Sequence, residues 1–338
     1  MHLKLFAQKR WVLRRSLSVM YALALGVCGV GFSCPVLAQK YPQRPVRIIA
    51  PVQPGGAVDL LARTVAERLA RATSGSFIVE NQSGGGGVIA AQAVARAPAD
   101  GYTLMLGYVA THGTGPAVRR LPYDAVRDFT AIAMLGGTPN VLVVPTSLGV
   151  NDVRGLLELS RRAGTRLSYG SSGSGSLTHL AMEQFRQAAQ FDAVHVPYRG
   201  IGPAIADLLG GQTQMLMPGL AGALAHLRAG KLRALAITGA RRHPFITDVP
   251  TFAELGYRGF DGVQWYGIVG PARLPAELTR QLNTEINKAL SSAELRERFA
   301  HEAIEPMPMS PEQFGRFIEA DILRWSTLAR ERGIELND

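Results

Sequence analysis

Strand and helix signals alternate along this chain from about residue 46 to residue 269. Short apolar runs rich in β-branched residues have the length of buried strands. The segments between them carry apolar residues on one helical face, as Leu61, Val65 and Leu69 do at i, i+4 and i+8. The predicted strands are 46–50, 77–80, 102–106, 130–135, 141–144, 167–169, 193–196, 214–217, 232–237 and 265–269. This alternation predicts an α/β fold with parallel sheets whose faces are covered by helices.

The predicted helices fall between these strands and continue without strands after Gly270. They lie near 57–72, 88–97, 151–163, 177–189, 201–209, 219–229, 275–290 and 311–332. An apolar stripe on the last helix, which includes Phe314 and Trp325, predicts a face that docks on a sheet. Residues 39–338 are too many for one ordinary core, which predicts two lobes. Because no low-complexity linker interrupts them, we expect crossing strands to join the lobes.

Residues 1–38 have the composition of an export signal. Basic residues come first, an apolar run at 17–31 follows, and a small-residue cleavage site ends at Ala38. The mature protein, beginning at Gln39, is therefore expected in the periplasm, by either the Sec or the twin-arginine route. An uncleaved anchor is disfavoured because the apolar run is shorter than about 20 residues. Lipidation at Cys34 is disfavoured because the residues before it make a poor lipoprotein motif.

Cysteine content and charge narrow the function further. Both cysteines, Cys28 and Cys34, lie in the export signal, so the mature protein has no disulfide, thiol nucleophile or cysteine metal site. Five of the 36 lysine and arginine residues also lie there, so against 26 acidic residues the mature net charge is +5. This mild charge suits small anions and is too weak to indicate nucleic-acid binding.

The segment that joins the first predicted strand to the first helix has the composition of an anion-binding loop. Pro51 and Pro54 end the strand, and Gly55 and Gly56 permit a tight turn before the helix begins. Free N–H groups at a helix N-terminus favour carboxylate or phosphate. The alternative is a turn with no ligand. We call residues 51–56 the first anion loop.

A Gly- and Ser-rich segment, residues 169–180 (YGSSGSGSLTHL), also lies between a strand and a helix. We call it the second anion loop. Its hydroxyl groups lie beside flexible N–H donors, although a Ser-rich helix start can also be only a cap. Neither loop contains arginine or lysine, which predicts that neutral dipoles hold the anion. The hydroxyl groups belong to Ser171, Ser172, Ser174, Ser176 and Thr178.

Two further loops follow predicted strands. Residues 196–203 place Tyr198 and Arg199 before a helix, and residues 107–116 contain Thr111 and His112. Open α/β sheets bind ligands at the carboxyl ends of their strands, where the two anion loops and residues 196–203 lie, and residues 107–116 are a fourth candidate. We therefore add Tyr198, Arg199 and Thr111 to the candidate ligand contacts, while a surface arginine at a helix start remains the commoner case.

Patterns for catalysis, metals and cofactors are weak or missing. The serine cluster has no G-x-S-x-G elbow, and the histidines lack the spacing of a zinc site. Gly85, Gly87 and Ala90 spell G-x-G-x-x-A, but the next strand ends without the acidic residue that a dinucleotide ribose needs. We therefore predict no catalytic residue, no metal and no cofactor. An enzyme or a nucleotide-binding protein on a similar scaffold stays open as the alternative.

Four motifs resemble one known family across the whole mature length. They are YPQRPVRIIAPVQPGGAVDLLAR, VENQSGGGGVIAAQAVARAPADGYTLMLG, LSYGSSGSGSLTHLAMEQF and VPYRGIGPAIADLLGGQ. The chain resembles the substrate-binding proteins of tripartite tricarboxylate transport systems, the Bug or TctC type. The resemblance implies a two-lobe periplasmic binding protein, a type II Venus-flytrap, that closes on a small solute, usually a carboxylate. It also implies that Pro54, Gly55, Gly56 and Asp59 bind from one lobe and Ser171, Ser172, Gly173 and Ser176 from the other.

The same resemblance, with the all-helical C-terminal end, sets the expected lobes and partners. Lobe 1 combines residues 39–138 with 263–338, and lobe 2 is 139–262. The expected function is a monomeric extracytoplasmic receptor for a small mono- or dicarboxylic acid, amino acid or aromatic acid, for uptake or sensing. The expected partners are membrane subunits of a tripartite transporter or a sensor kinase, with no nucleic acid.

Overall fold

The apolar runs of the sequence form strands in the computed structural model, which describes residues 41–55, 57–331 and 333–334. The predicted export signal with its cleavage site after Ala38, and Gly56 of the first anion loop, lie outside the described residues. The strands are β1 Val46–Ala50, β2 Phe77–Asn81, β3 Thr103–Tyr108, β4 Phe129–Pro139, β5 Val141–Pro145, β6 Leu167–Ser171, β7 Ala193–Pro197, β8 Leu232–Ile237, β9 Val263–Pro271 and β10 Glu305–Pro306.

Helices separate most of these strands, as the periodicity predicts. They are α1 Ala57–Thr73, α2 Val88–Ala95, α3 Val109–His112, α4 Thr114–Val118, α5 Val153–Ser160, α6 Leu177–Ala188, α7 Ile201–Leu209, α8 Leu220–Arg228, α9 Ala276–Leu290, α10 Ala293–His301 and α11 Pro311–Glu331. Within the described residues, no helix is both long and apolar enough to span a membrane.

A six-stranded sheet forms the base of the first lobe, in the order β10-β4-β9-β3-β1-β2. Strand β1 runs parallel to β2 and β3, whereas β9 is antiparallel to both β3 and β4. The expectation of parallel strands is thus confirmed for β1, β2 and β3, and the sheet as a whole is mixed. The antiparallel pairs arise because β9 returns to this sheet from the second lobe, in the direction opposite to β3.

The second lobe contains two strand pairs, antiparallel β5–β8 and parallel β6–β7. Met215 and Leu216 lie between these pairs and bridge to Tyr169 of β6 and Val143 of β5. The predicted strand 214–217 is therefore present as two isolated bridges, one to each neighbour. Pairing with the segment around β5 continues past Pro218, whose carbonyl accepts from the N–H of Val141 at 2.9 Å, to a bridge between Gly219 and Asn140.

The C-terminal helix α11 covers the six-stranded sheet with the predicted apolar stripe. Phe314 and Trp325 are fully buried, together with Trp265 of β9. The buried carboxylate of Asp321 accepts hydrogen bonds from the indole N–H groups of Trp265 at 2.8 Å and Trp325 at 3.0 Å. Because buried polar groups must be paired, this arrangement ties the helix to the crossing strand in one register.

The two segments that lead between the lobes are joined to each other by one side chain. The hydroxyl of Thr238 accepts a hydrogen bond from the backbone N–H of Asn140 at 2.8 Å. It donates to the backbone carbonyl of Gly262 at 2.9 Å. Asn140 follows β4, and Gly262 precedes β9, so this buried threonine links the outgoing chain to the returning chain.

Candidate functional site

Asp59, in the first turn of α1, holds the first anion loop in place. Its carboxylate accepts hydrogen bonds from the N–H of Gly55 at 3.0 Å, Asn81 Nδ2 at 2.9 Å and Arg63 Nε at 3.1 Å. Burial alone would raise the pKa of Asp59, but the hydrogen bonds from Arg63, Asn81 and Gly55 together hold it below its usual value. Both oxygens are thus engaged within the protein, and Asp59 shapes the loop that the resemblance assigns to the ligand.

The tip of the first anion loop is open. Pro54 and Gly55 are exposed, and Gly55 has a φ of 96°, in the left-handed region that favours glycine. A Cβ atom built on Gly55 would meet no other atom within 4 Å. The glycine is therefore required by the backbone turn, and space remains beside it for a ligand.

Thr111 is fully buried and caps the short helix α3. Its hydroxyl donates to the carbonyl of Tyr108 at 3.0 Å and accepts from the N–H of the same residue at 3.2 Å. Its methyl group packs on Gly87, where a Cβ atom would lie 2.5 Å from it. Gly87, one of the glycines that spell the dinucleotide-like motif, thus permits close packing against Thr111.

The second anion loop is a closed network of hydroxyl groups at the start of α6. Ser176 is the N-cap of this helix, accepting from the N–H of His179 at 3.4 Å. The hydroxyl of Thr178 accepts from the N–H of Ser172 at 2.9 Å and lies 3.0 Å from the Ser172 hydroxyl. Ser172, Gly173, Ser174 and Ser176 are partly exposed, and the hydroxyl of Ser176 already donates to the carbonyl of Gly173 at 2.6 Å.

Ser171 differs from its neighbour, because its hydroxyl is turned inward. The side chain is fully buried, and its Oγ lies 2.6 Å from Nε2 of His195. The resemblance includes Ser171 among the ligand contacts, whereas the structure places its hydroxyl under the loop, where it contributes support.

Two stacked histidines, which sequence reasoning overlooked, lie beneath this loop. The rings of His179 and His195 are 3.9 Å apart, and Tyr169 stacks on His195. The N–H of Gly175 donates to Nδ1 of His179 at 3.2 Å. Burial, with a smaller contribution from His179, lowers the pKa of His195 to about 4, and burial also lowers the pKa of His179. Both rings are therefore neutral near pH 7 and accept or share hydrogen bonds with the loop.

Tyr198 is part of this site, whereas Arg199 is not brought into it by any contact with the described residues. The N–H of Tyr198 donates to the carbonyl of Ser171 at 3.0 Å, and its hydroxyl donates to Asp207 at 2.8 Å. Burial, together with Asp207, raises the pKa of Tyr198 to about 12. Arg199 is exposed at the surface, as its position at a helix start commonly implies.

Arg119 contacts the second anion loop from a distant part of the chain, and sequence reasoning missed it. It follows α4, and its guanidinium donates to the carbonyl of Ser174 in that loop. On its other side, Nη1 lies 3.6 Å from a Cβ atom built on Gly86. A cationic group therefore lies beside a loop that itself contains no arginine or lysine, and the expectation that neutral dipoles hold the anion stays a prediction. Only the long-range pairing of residues 119 and 174 could have revealed this, and no local pattern encodes it.

We also searched the described residues for a cavity or a metal-binding cluster away from these loops. A cavity of about 400 Å³ lies against β4, α9 and α11 and is lined by residues such as Phe129 and Ile318, away from both anion loops. Within the described residues, no three His, Cys, Asp or Glu side chains cluster in a way that could hold a metal ion.

Comparisons with known proteins agree with the sequence motifs. A family described as the tripartite tricarboxylate transporter family receptor matches residues 61–334. BugT of Bordetella pertussis is 34% identical over 320 residues, which cover 94% of this chain and 98% of BugT.

Two solved structures from Rhodopseudomonas palustris have the same fold. Rpa4515 with adipate is 36% identical, with a TM-score of 0.82 over 87% of this chain and 99% of that one. MatC with bound malate is 29% identical, with a TM-score of 0.78 over 85% of this chain and 99% of that one. The resemblance seen in the sequence is thereby confirmed: the chain belongs to the tripartite tricarboxylate transporter receptor family and has its two-lobe periplasmic binding fold.

Proposed function

We propose that this protein is an extracytoplasmic receptor that binds a small carboxylate between the first and second anion loops. Proteins of its family are solute-binding receptors and not enzymes. This agrees with the sequence-based prediction of no catalytic residue. The family and the periplasmic transporters among the similar structures imply a periplasmic location. We further propose that cleavage after Ala38 releases a soluble chain that begins at Gln39.

One observation carries the proposal. Two loops, each between the end of a strand and the start of a long helix, precede α1 and α6, which we assign to different lobes. Backbone N–H groups at helix N-termini favour a carboxylate through their dipoles, and the partly exposed Ser172 adds a hydroxyl as a neutral donor. The two solved relatives that hold adipate and malate support the same ligand class.

We propose that the two lobes close on the bound solute. A solute that contacts loops of both lobes binds the closed arrangement better than the open one, so it shifts the population toward closure. Membrane transporter subunits or a sensor kinase would then recognise the closed form. Because one carboxylate is held by neutral donors, release does not require the separation of an ion pair.

A thermal-shift screen of the purified mature chain tests the proposal. We expect stabilisation by members of a panel of mono- and dicarboxylates, amino acids and aromatic acids, with affinities near micromolar, or about −8 kcal/mol. Neutral sugars of similar size serve as the control and should have no effect. Stabilisation by sugars or cations alone would show that the ligand class is wrong. Native mass spectrometry of the purified protein would identify a small acid that co-purifies.

A further inference from the structure

Arg119 is a cationic side chain that contacts the second anion loop and could bind an acidic group of a ligand. It lies between β3 and β4, in the first lobe, and reaches a loop that begins 50 residues later in the second lobe. Its guanidinium donates to the carbonyl of Ser174 and approaches the glycine turn at Gly86. The side chain is partly buried, and its Nε atom is fully buried.

The charge of Arg119 has no anionic partner among the described residues. Its only hydrogen-bond acceptor there is the Ser174 carbonyl, and its Nε has none. Two other arginines of the protein have a carboxylate partner. Arg63 pairs with Asp59 at 3.0 Å, and Arg186 pairs with Glu183 at 2.8 Å. Removing a guanidinium from water without an anion is costly, so such a group is commonly compensated by a partner or a ligand.

The surroundings of Arg119 supply neutral groups. The ionisable side chains that it influences are Tyr108, Tyr123 and His179, and burial keeps each of them in its neutral form near pH 7. Ser174 uses only one of the four Nη–H groups, and a guanidinium can donate two parallel hydrogen bonds from its Nη–H groups to a carboxylate. A cation with unused Nη–H donors, beside the loops proposed to bind one carboxylate, fits a second carboxylate.

We propose that Arg119 determines specificity by binding the second acidic group of a dicarboxylate whose first carboxylate lies on the anion loops. This inference rests on the proposed function. A hydrogen-bonded charge pair of this kind contributes about 10- to 150-fold in affinity. The protein then discriminates between acids of equal length by the presence of the second charge, and the preference weakens as salt screens it.

A purely structural role for Arg119 would give a different pattern of affinities for monocarboxylates and dicarboxylates. If Arg119 acted only as a latch between Ser174 and the first lobe, it would favour closure whatever the solute carried at its far end. Its removal would then weaken monocarboxylates and dicarboxylates by the same factor.

Calorimetry with acids of matched length separates these roles. The probes are butanoate with succinate, hexanoate with adipate, and octanoate with suberate. For Arg119→Met, which keeps an apolar stem, we expect the affinity for the bound diacid to fall about 10- to 150-fold and that for its monoacid to change less than about threefold. Arg119→Lys keeps the charge without the fork and should be intermediate.

Arg120→Met is the matched control, because Arg120 is the adjacent, exposed arginine and carries the same charge. It should bind each acid as the wild type does. Equal losses for mono- and diacid, or no loss, in Arg119→Met with an unchanged melting temperature would overturn the specificity role. If the wild-type protein bound none of these six acids but was stabilised by other carboxylates in the thermal-shift screen, the specificity role would be overturned while the proposed function stood. If no carboxylate in that screen stabilised it, the proposed function itself would fail.

Discussion

At the scale of single residues, two adjacent serines of the second anion loop have opposite orientations. Ser171 ends β6 and turns its hydroxyl inward to His195, whereas Ser172 is partly exposed and reaches only Thr178. Ser171 is the last residue of β6 and its direction is set by the strand, whereas Ser172 is the first residue of the loop that follows. One serine supports the loop from below, and the next is available to a solute.

Substitution of each serine by alanine should separate stability from binding. We expect Ser172→Ala to weaken carboxylate binding about 10- to 150-fold if its hydroxyl is the donor, because a hydrogen bond to a charged group is lost. Ser171→Ala leaves His195 without its partner and should lower the free energy of unfolding by about 1–3 kcal/mol. Calorimetry and chemical denaturation of both variants measure the two effects. A Ser172→Ala protein that binds as tightly as the wild type would restrict this residue to a backbone contact.

The residues that sequence reasoning identified well are those whose role is local. Gly55 is required by a positive φ, and Ser176 caps the helix that begins beside it, so the nearby sequence reveals both. Arg119 and His195 were missed because their partners, Ser174 and Ser171, are distant along the chain. Which face of the strand end Ser171 occupies depends on the pairing of β6, and the segment alone does not define it.

At the scale of elements, the second anion loop rests on the stacked rings of His179 and His195. Each ring contributes to the loop through a nitrogen that must be free of a proton or must share one: Nδ1 of His179 with Gly175, and Nε2 of His195 with Ser171. Two positive charges at 3.9 Å would repel each other, and Glu183 offers only partial compensation. The loop is therefore built for neutral histidines.

Stability should accordingly decrease as the pH falls. The pKa of His195 is lowered to about 4, so protonation below the ordinary value near 6.5 occurs first in the unfolded chain and favours unfolding. We expect the free energy of unfolding to be undiminished by this group above pH 6.5 and to fall between pH 6.5 and about 4. The buried His112, whose pKa burial lowers to about 3, acts in the same direction.

Urea denaturation across this pH range measures the effect, with His195→Gln as the comparison. The glutamine amide can still bond to Ser171 but does not titrate, so the decline in stability between pH 6.5 and 4 should be shallower. The same slope in both proteins would assign the pH dependence to other groups.

Element types were predictable because the alternation of apolar runs and amphipathic segments is strong. The boundaries of β1 and β8 agree with the sequence, and β4 extends further than predicted because it continues toward the second lobe. The direction of β9 and the division of residues 214–217 between two neighbours were not predictable from periodicity. Both depend on how the two lobes are connected.

At the scale of the whole molecule, we propose that lobe 1 combines residues 39–138 with 263–338, and that lobe 2 is 139–262. The packing of α11 on β4 and β9 supports this, because the last helix returns to the sheet that contains the first strand. Limited proteolysis of the folded chain should therefore not release separate folded N- and C-terminal halves. Recovery of two such halves, each with a cooperative melting transition, would disprove the division.

The bridge that Thr238 makes between Asn140 and Gly262 affects how a membrane component could detect that a solute is bound. Because the outgoing and returning chains are hydrogen-bonded to each other, we expect them to bend together and not to slide past each other. We expect opening and closing to follow a single coordinate, with one end point for every solute that spans the loops. A membrane component that contacts the outer surface would then detect only whether a solute is bound. The choice of solute would depend on the loops that bind it and not on the membrane component.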